Sequence, residues 1–171
     1  DAYALLRSAI EDPDPVVFVE HKAMYASKGE VDTSVRVPIG QARIVRPGRD
    51  LTFVTYGATV SNCVEAAAAL AGEGIEAEVI DLRSLQPWDE AAVFASVART
   101  HRAVVVHEAV QAFGAGAEIA ARIGEDAFDE LDAPVVRVGA PFMPVPFARS
   151  LEQHYFVNTA TVLAAARKAL A

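Results

Sequence analysis

The stretch from Ala103 to Ile119 constrains the fold of this chain more than any other. It begins with a valine-rich apolar run, AVVV. A strand with one wet face would alternate apolar and polar residues, so this run predicts a strand buried on both faces, as in a parallel sheet. The polar pair His107 and Glu108 follows at the predicted carboxyl end, and a glycine-bearing loop leads into a helical pattern from Ala117 to Ile123. In open parallel sheets, ligands and partners are met at this edge.

The rest of the chain repeats this strand–loop–helix unit. We predict strands at 51–56, 77–80 and 134–138, and helices that end near Leu70, Arg99 and Leu170. Strand and helix alternate at the spacing of βαβ units, which predicts an α/β fold of three layers, with a mostly parallel sheet and helices on both faces. The predicted caps of the three helices are Thr59 or Ser61, Asp89, and Asn158 or Thr159.

One strand of this sheet is expected to be antiparallel. Residues 39–45 alternate weakly and are closed by the turn pair Pro47-Gly48 just before the strand at 51–56. Two strands joined by so short a turn run antiparallel. We therefore expect an antiparallel edge strand on an otherwise parallel sheet.

The first 36 residues have a different organisation. A helix up to Ile10 is ended by prolines, and residues 16–19, VVFV, predict a buried strand. The stretch 26–36 is polar, contains Gly29 and has neither period, so it is interpreted as a linker. Residues before about Gly29 are expected to be the tail of an upstream domain, with a complete domain following. The absence of an initiator methionine led us to expect a fragment of a longer protein.

Composition argues against some classes of function. The net charge of -8, with no cluster of Lys and Arg, argues against nucleic-acid binding and suits a basic protein partner. Cys63 is the single cysteine, so no internal disulfide is expected; it suits a reducing compartment, and we expect a cytoplasmic protein. No run is long enough to span a membrane, and no signal peptide opens the chain.

The sequence contains no complete catalytic set. Gly114 and Gly116 lack both the third glycine of a dinucleotide site and the Gly-Lys-Ser/Thr of a P-loop. His107 and Glu108 could be an acid–base pair, but neighbours along a strand point to opposite faces. The four histidines are scattered rather than spaced for zinc, and the hydroxyl residues lack a nucleophile elbow; they are His21, His101, His107 and His154, and Ser84, Thr59 and Ser61.

We therefore assign no catalytic, cofactor-binding or metal-binding residue. The candidates for partner or interface contacts are Arg83, His107, Glu108 and Phe142. Arg83 lies just past a predicted strand, and an ion pair with Asp81, Asp89 or Glu108 is expected for it.

Several blocks, in this order, carry a resemblance to a known family: 14–22 (DPVVFVEHK), 27–31 (SKGEV), 38–40 (PIG), 78–83 (EVIDLR), 106–109 (VHEA), 116–120 (GAEIA) and 131–134 (LDAP). Over its whole length the chain resembles the carboxyl-terminal part of the β subunit of the thiamine diphosphate-dependent decarboxylating component of 2-oxo acid dehydrogenase complexes, of the pyruvate and branched-chain types. Residues 87–89, PWD, look slightly more like the branched-chain members.

The resemblance implies a transketolase-type carboxyl-terminal domain at 37–171, with 1–36 as the tail of a pyrimidine-binding domain plus linker. The family's cofactor-activating glutamate lies upstream, and its α subunit holds the diphosphate and magnesium, so this fragment alone is expected to bind neither. The implied partners are the α subunit, a second β subunit and the lipoyl acyltransferase core. The chain departs from the family at Ala112-Phe113, usually adjacent glycines, and at Phe142, usually an aspartate; the latter puts docking in question.

Two rival interpretations remain at this point. One is another transketolase-fold enzyme, such as an acetoin dehydrogenase or a deoxyxylulose-phosphate synthase. The other is a free-standing α/β interaction module without chemistry.

Overall fold

A computed structural model describes all 171 residues. The sheet has five strands, β1 to β5, and the chain has six helices, α1 to α6. In chain order these are α1 (Ala2–Glu11), β1 (Arg43–Arg46), β2 (Leu51–Thr55), α2 (Thr59–Ala71), β3 (Ala77–Asp81), α3 (Glu90–Thr100), β4 (Ala103–Val110), α4 (Ala115–Asp126), β5 (Val136–Ala140), α5 (Arg149–Tyr155) and α6 (Thr159–Leu170). Single 3₁₀ turns lie at Lys22–Met24 and Phe128–Glu130.

The strand order is β1-β3-β2-β4-β5, and every neighbouring pair is parallel except β1 with β3. The predicted fold class, with one antiparallel edge strand, is confirmed. The inference that led to that edge strand was wrong, because β1 pairs with β3 rather than with β2. Strand β2 is central and has β3 and β4 on its two sides, so no edge is left for β1. Gly48 crosses directly against β3, where an added Cβ would overlap the backbone of Ala77 and Glu78.

Strand β4 is buried on both faces, as its unbroken apolar run predicts. Val104 and Val106 pack in the cluster formed with α2 and α6, whereas Val105 packs in the cluster formed with α3 and α4. All three side chains are at most 1% exposed. Helices therefore cover the sheet from both sides, and β4 is part of both cores. Cys63 lies in the first cluster, as expected for a small core residue.

The helix termini confirm two of the predicted caps and correct one. The Asp89 carboxylate accepts from the Ala92 amide at 3.0 Å, and the Asn158 side chain accepts from the Thr161 amide at 3.0 Å. Helix α2 has Ala58 at its N-cap and no side-chain cap. Thr59 bonds to its own preceding turn instead, donating to the Tyr56 carbonyl at 2.9 Å. Helix α5 was not predicted, because only two apolar residues, Leu151 and Tyr155, mark its helical period.

The predicted strand at 16–19 is absent. Val17 and Val19 are 89% and 86% exposed, and no strand lies beside them. A strand forms where a neighbour completes its backbone hydrogen bonds, and this chain offers none there. Helix α1 does reach the domain, since the Ser8 hydroxyl donates to the Val37 carbonyl at 2.7 Å. No helix in the chain is long and apolar enough to cross a membrane.

Candidate functional site

The carboxyl ends of β2, β3 and β4 meet at one edge of the sheet, as parallel strands must. We call this region, with the loop from Gln111 to Gly114 and the loop from Pro141 to Ala148, the carboxyl edge. The structure brings His107 and Glu108 together here with Tyr56 and His21, and brings Phe142 together with Phe113. Arg83 follows β3 and forms its hydrogen bonds with other residues.

His107 is buried rather than available to a substrate. Its side chain is 1% exposed, and its ring lies nearly parallel to that of Tyr56, with centroids 6.0 Å apart and 9° between the planes. Neither ring nitrogen has a hydrogen-bond partner. Burial lowers the pKa of His107, and the positive charge of Arg137 lowers it further. The nearby Ala109 backbone raises the pKa and so opposes the shift in part. This arrangement favours a neutral imidazole that fills space.

Glu108 points away from His107 and contacts His21, with 2.7 Å between Oε2 of Glu108 and Nε2 of His21. About a third of each of these two side chains is exposed. No hydrogen bond joins His107 to Glu108, since both His107 ring nitrogens are unpaired and Glu108 contacts His21. The pKa of the Tyr56 hydroxyl is raised by burial and by the charge of Glu108. The contact between His21 and Glu108 ties the segment before the domain to the end of β4.

Arg83 is held by contacts that the sequence did not predict. Its side chain is 8% exposed and donates to the carbonyls of Gln41 (3.1 Å) and Ala42 (3.0 Å) and to the Asp1 carboxylate (3.3 Å). The expected side-chain ion pair with Asp81, Asp89 or Glu108 is therefore wrong. The Asp81 carboxylate instead accepts from the Arg83 backbone amide at 3.1 Å. Burial lowers the pKa of Arg83, and these contacts join β3 to the residues that precede β1.

Phe142 and Phe113 form an exposed aromatic pair, a name we keep for these two residues. Their side chains are 72% and 92% exposed, and their rings meet edge to face with centroids 5.9 Å apart. Phe113 adopts a left-handed conformation, φ 62°, which is costly for a bulky residue. The loop after Phe142 exposes further apolar side chains, at Met143, Val145 and Phe147. Exposed apolar groups of this density are typical of interaction surfaces.

Three residues of the carboxyl edge were missed as site residues: Tyr56, His21 and Phe113. Tyr56 could have been found from register alone, because the residues after neighbouring parallel strands lie side by side. The partnership of His21 with Glu108 depends on the path of the linker and has no local signal. No group of three or more His, Cys, Asp or Glu side chains lies close enough together to hold a metal ion.

These features define a class of protein: a three-layer α/β domain whose polar and aromatic groups gather at the carboxyl edge of a parallel sheet. Residues 40–162 match the family model described as the transketolase C-terminal domain, and the chain belongs to this family. The fold supports the assignment. A split-gene transketolase, described as an inactive β4 tetramer, matches with a TM-score of 0.76 and 28% identity, over 98% of this chain and 53% of that one. A transketolase mutant from Pichia stipitis, at 17% identity and a TM-score of 0.51, shows the same fold over 77% of this chain and 18% of that one.

Curated relatives indicate which kind of protein within this family the chain is similar to. The chain is 47% identical over 176 residues to the mitochondrial pyruvate dehydrogenase E1 component subunit beta of Drosophila melanogaster, covering 99% of this chain and 48% of the relative. It is 46% identical over 171 residues to the acetoin:2,6-dichlorophenolindophenol oxidoreductase subunit beta of Cupriavidus necator, covering 99% and 51%. The chain thus spans about half the length of these relatives. The expected resemblance to β subunits of 2-oxo acid dehydrogenases is confirmed.

Proposed function

We propose that this chain is the carboxyl-terminal part of the β subunit of a thiamine diphosphate-dependent 2-oxo acid dehydrogenase, and that it serves subunit assembly and docking rather than catalysis. The observation that carries the proposal is the 47% identity to a pyruvate dehydrogenase β subunit over 99% of the chain. The carboxyl edge agrees with a contact role, because its histidine is buried and its aromatic pair is exposed.

In this proposal residues 37–171 form the carboxyl-terminal domain and residues 1–36 belong to an upstream pyrimidine-binding domain and linker. The exposure of Val17 and Val19 supports this division, because apolar side chains in an extended segment suit a place beside strands of another unit. Just after that segment, the contact between His21 and Glu108 joins the chain to this domain.

For the substrate we favour pyruvate. Residues 87–89, PWD, resemble the branched-chain members slightly more, but two of them have a structural role in this fold. The Trp88 ring packs edge to face on the Phe94 ring, with centroids 5.9 Å apart, and Asp89 caps α3. A residue with such a role carries no information about the 2-oxo acid. Acetoin is the second candidate, supported by the 46% identity to the Cupriavidus protein.

Thiamine diphosphate and magnesium would be bound in the assembled enzyme, outside this fragment. The groups at the carboxyl edge do not offer a magnesium site, since Glu108 is engaged by His21 and His107 is buried. The proposed partners are the α subunit, a second β subunit and the lipoyl acyltransferase core. A cytoplasmic location, expected from the single cysteine, stays a prediction; relatives include a mitochondrial protein and a bacterial one.

The test is to tag this sequence at its native locus, purify the assembly that contains it, and assay dye reduction with pyruvate, 3-methyl-2-oxobutanoate and acetoin. We expect pyruvate-dependent reduction that requires added thiamine diphosphate and magnesium, together with recovery of an α subunit. An untagged strain is the control for contaminating activity. Turnover of acetoin alone would favour the second candidate, and an assembly without any of the three activities would overturn the proposal.

A further inference from the structure

The His107 ring lies directly under the start of α4. Gly114 precedes that helix and Gly116 lies in its first turn, and a Cβ added at either position would overlap the imidazole. The Tyr56 ring stacks on the same imidazole. The glycine loop and the first turn of α4 therefore rest on a buried titratable ring, and the two glycines are the residues that make the close approach possible.

No negatively charged group acts on this ring to stabilise a positive charge. Both of its nitrogens are buried and unpaired. Of its neighbours, Tyr56 is uncharged at neutral pH, Arg137 on β5 is positive, and the Glu108 carboxylate is engaged by His21 on the other side of the strand. Glu118, in the first turn of α4, faces solvent. The Ala109 backbone could accept one N–H, so an imidazolium would keep at least one donor unpaired in a dry site, which is costly.

The loop above the ring is anchored to β5 at Gln111 and continues into α4 at Ala115. The Gln111 amide donates to the Ala140 carbonyl at 2.8 Å, and the Gln111 side chain donates to the Arg137 carbonyl at 2.9 Å. Between these two points Ala112 and Phe113 form no hydrogen bond, and the Gly114 carbonyl accepts only from the following helix, from the Ala117 amide at 2.8 Å. Helix α4 has no side-chain cap, and Phe113 projects into solvent with positive φ. His107 is the side chain that lies against both glycines of this segment, beside the Val110 carbonyl at Gly114 and a Val105 methyl at Gly116.

We propose that His107 is a pH-sensitive pin for residues 112–116: the neutral ring holds the segment, and protonation releases it and separates Phe113 from Phe142. Burial supports this direction, because it lowers the pKa of His107 below its ordinary value of 6.5. The neutral form is therefore favoured in the folded state. The contact between the neutral ring and the segment is therefore fully present above pH 6.5 and is lost as the pH falls through the lowered pKa of His107. The proposal does not depend on which reaction the assembled enzyme performs.

The test is an NMR titration of the 171-residue chain from about pH 7.5 to about pH 5, across the range in which histidine changes charge. We expect the amide signals of Phe113 and Gly114 to shift with the same midpoint as the His107 ring protons, while the Gln111 amide stays in place. Amide exchange at 113–117, corrected for its intrinsic pH dependence, should become at least about tenfold faster on the acid side.

A non-titrating ring provides the matched variant. In His107→Phe the segment should lose its pH response, whereas His154→Gln, at an exposed position on α5, should keep it. If the Phe variant does not fold, the coincidence of midpoints in the unmodified chain still decides. The proposal would be overturned if the loop signals did not change with the His107 titration, or if the whole domain unfolded before the loop moved. Neither result would affect the proposed function.

Discussion

Glycines that look alike in sequence have opposite roles within one helix. Gly116 and Gly124 both lie in α4, but a Cβ at Gly116 would overlap His107 and come within 3.1 Å of a Val105 methyl, whereas a Cβ at Gly124 would meet nothing within 4 Å. Gly116→Ala should therefore destabilise the domain by about 1–3 kcal/mol through overpacking. Gly124→Ala should stabilise it by up to about 1 kcal/mol through helix propensity. Urea unfolding of both variants checks the contrast, and equal shifts would show that His107 yields without cost.

The single cysteine should be chemically silent in the folded protein. Cys63 is fully buried in the core against α6, and burial raises the pKa of its thiol to about 12, opposed in part by a hydrogen bond with Thr55. Because the thiolate is the reactive form, a disulfide reagent at mildly alkaline pH should label the native chain only at the rate of unfolding. Labelling in denaturant should be complete within minutes. Rapid labelling of the native chain would mean that α2 separates easily from the sheet.

Two valine-rich segments that look alike in sequence differ in structure, since one forms a buried strand and the other is exposed and forms no strand. Val105 in β4 is 1% exposed, whereas Val17 in the predicted strand at 16–19 is 89% exposed. Val105→Asp should bury an unpaired charge and cost several kcal/mol, enough to unfold a typical domain. Val17→Asp, the matched control, should leave the unfolding midpoint of this chain unchanged. Circular dichroism during thermal unfolding measures both; a cooperative transition at the original midpoint in Val105→Asp would contradict the central place of β4.

The comparison of these two segments also shows what the sequence could predict. Apolar runs, turn residues and caps located β2 to β5 and five of the six helices, because those signals are local. The same rule failed at 16–19, since a run of valines does not reveal whether a neighbouring strand is present. The short turn between β1 and β2 also predicted the wrong partner for β1, because strands that are adjacent in sequence need not be paired in the sheet. The candidates His107, Glu108 and Phe142 do lie at the carboxyl edge, but their contacts with Tyr56, His21 and Phe113 are long-range and were not predicted.

At the scale of the whole molecule, we expect this chain alone not to bind a diphosphate cofactor. Its strand ends offer a buried histidine, a carboxylate engaged by His21, and an arginine satisfied by carbonyls and Asp1. Calorimetric titration of the 171-residue chain with thiamine diphosphate and magnesium should therefore give no heat beyond dilution. The assembled enzyme, titrated in the same buffer, is the positive control. A saturable isotherm in the micromolar range for the chain alone would show that a cofactor site lies within it.

Charge distributed over the whole chain should govern how a docking partner arrives. The net charge of -8 would steer a basic domain, such as the subunit-binding domain of the acyltransferase, at a rate that falls with added salt. The aromatic pair would then supply the anchor, since buried aromatic side chains dominate interface energetics. We therefore expect Phe142→Ala to raise the dissociation rate and Glu108→Gln mainly to slow association.

Surface plasmon resonance with the assembled enzyme at low and high salt separates these two effects. Phe128→Ala and Glu125→Gln are the matched controls, because both side chains are exposed on the α4 side and away from the carboxyl edge. A truncation at the aromatic pair should weaken binding by at least about tenfold, the cost of losing roughly 1.4 kcal/mol at an interface anchor. If all four variants bind like the unmodified enzyme and salt has no effect, the carboxyl edge is not the docking surface, and the exposed Phe113 and Phe142 must meet a different neighbour in the assembly.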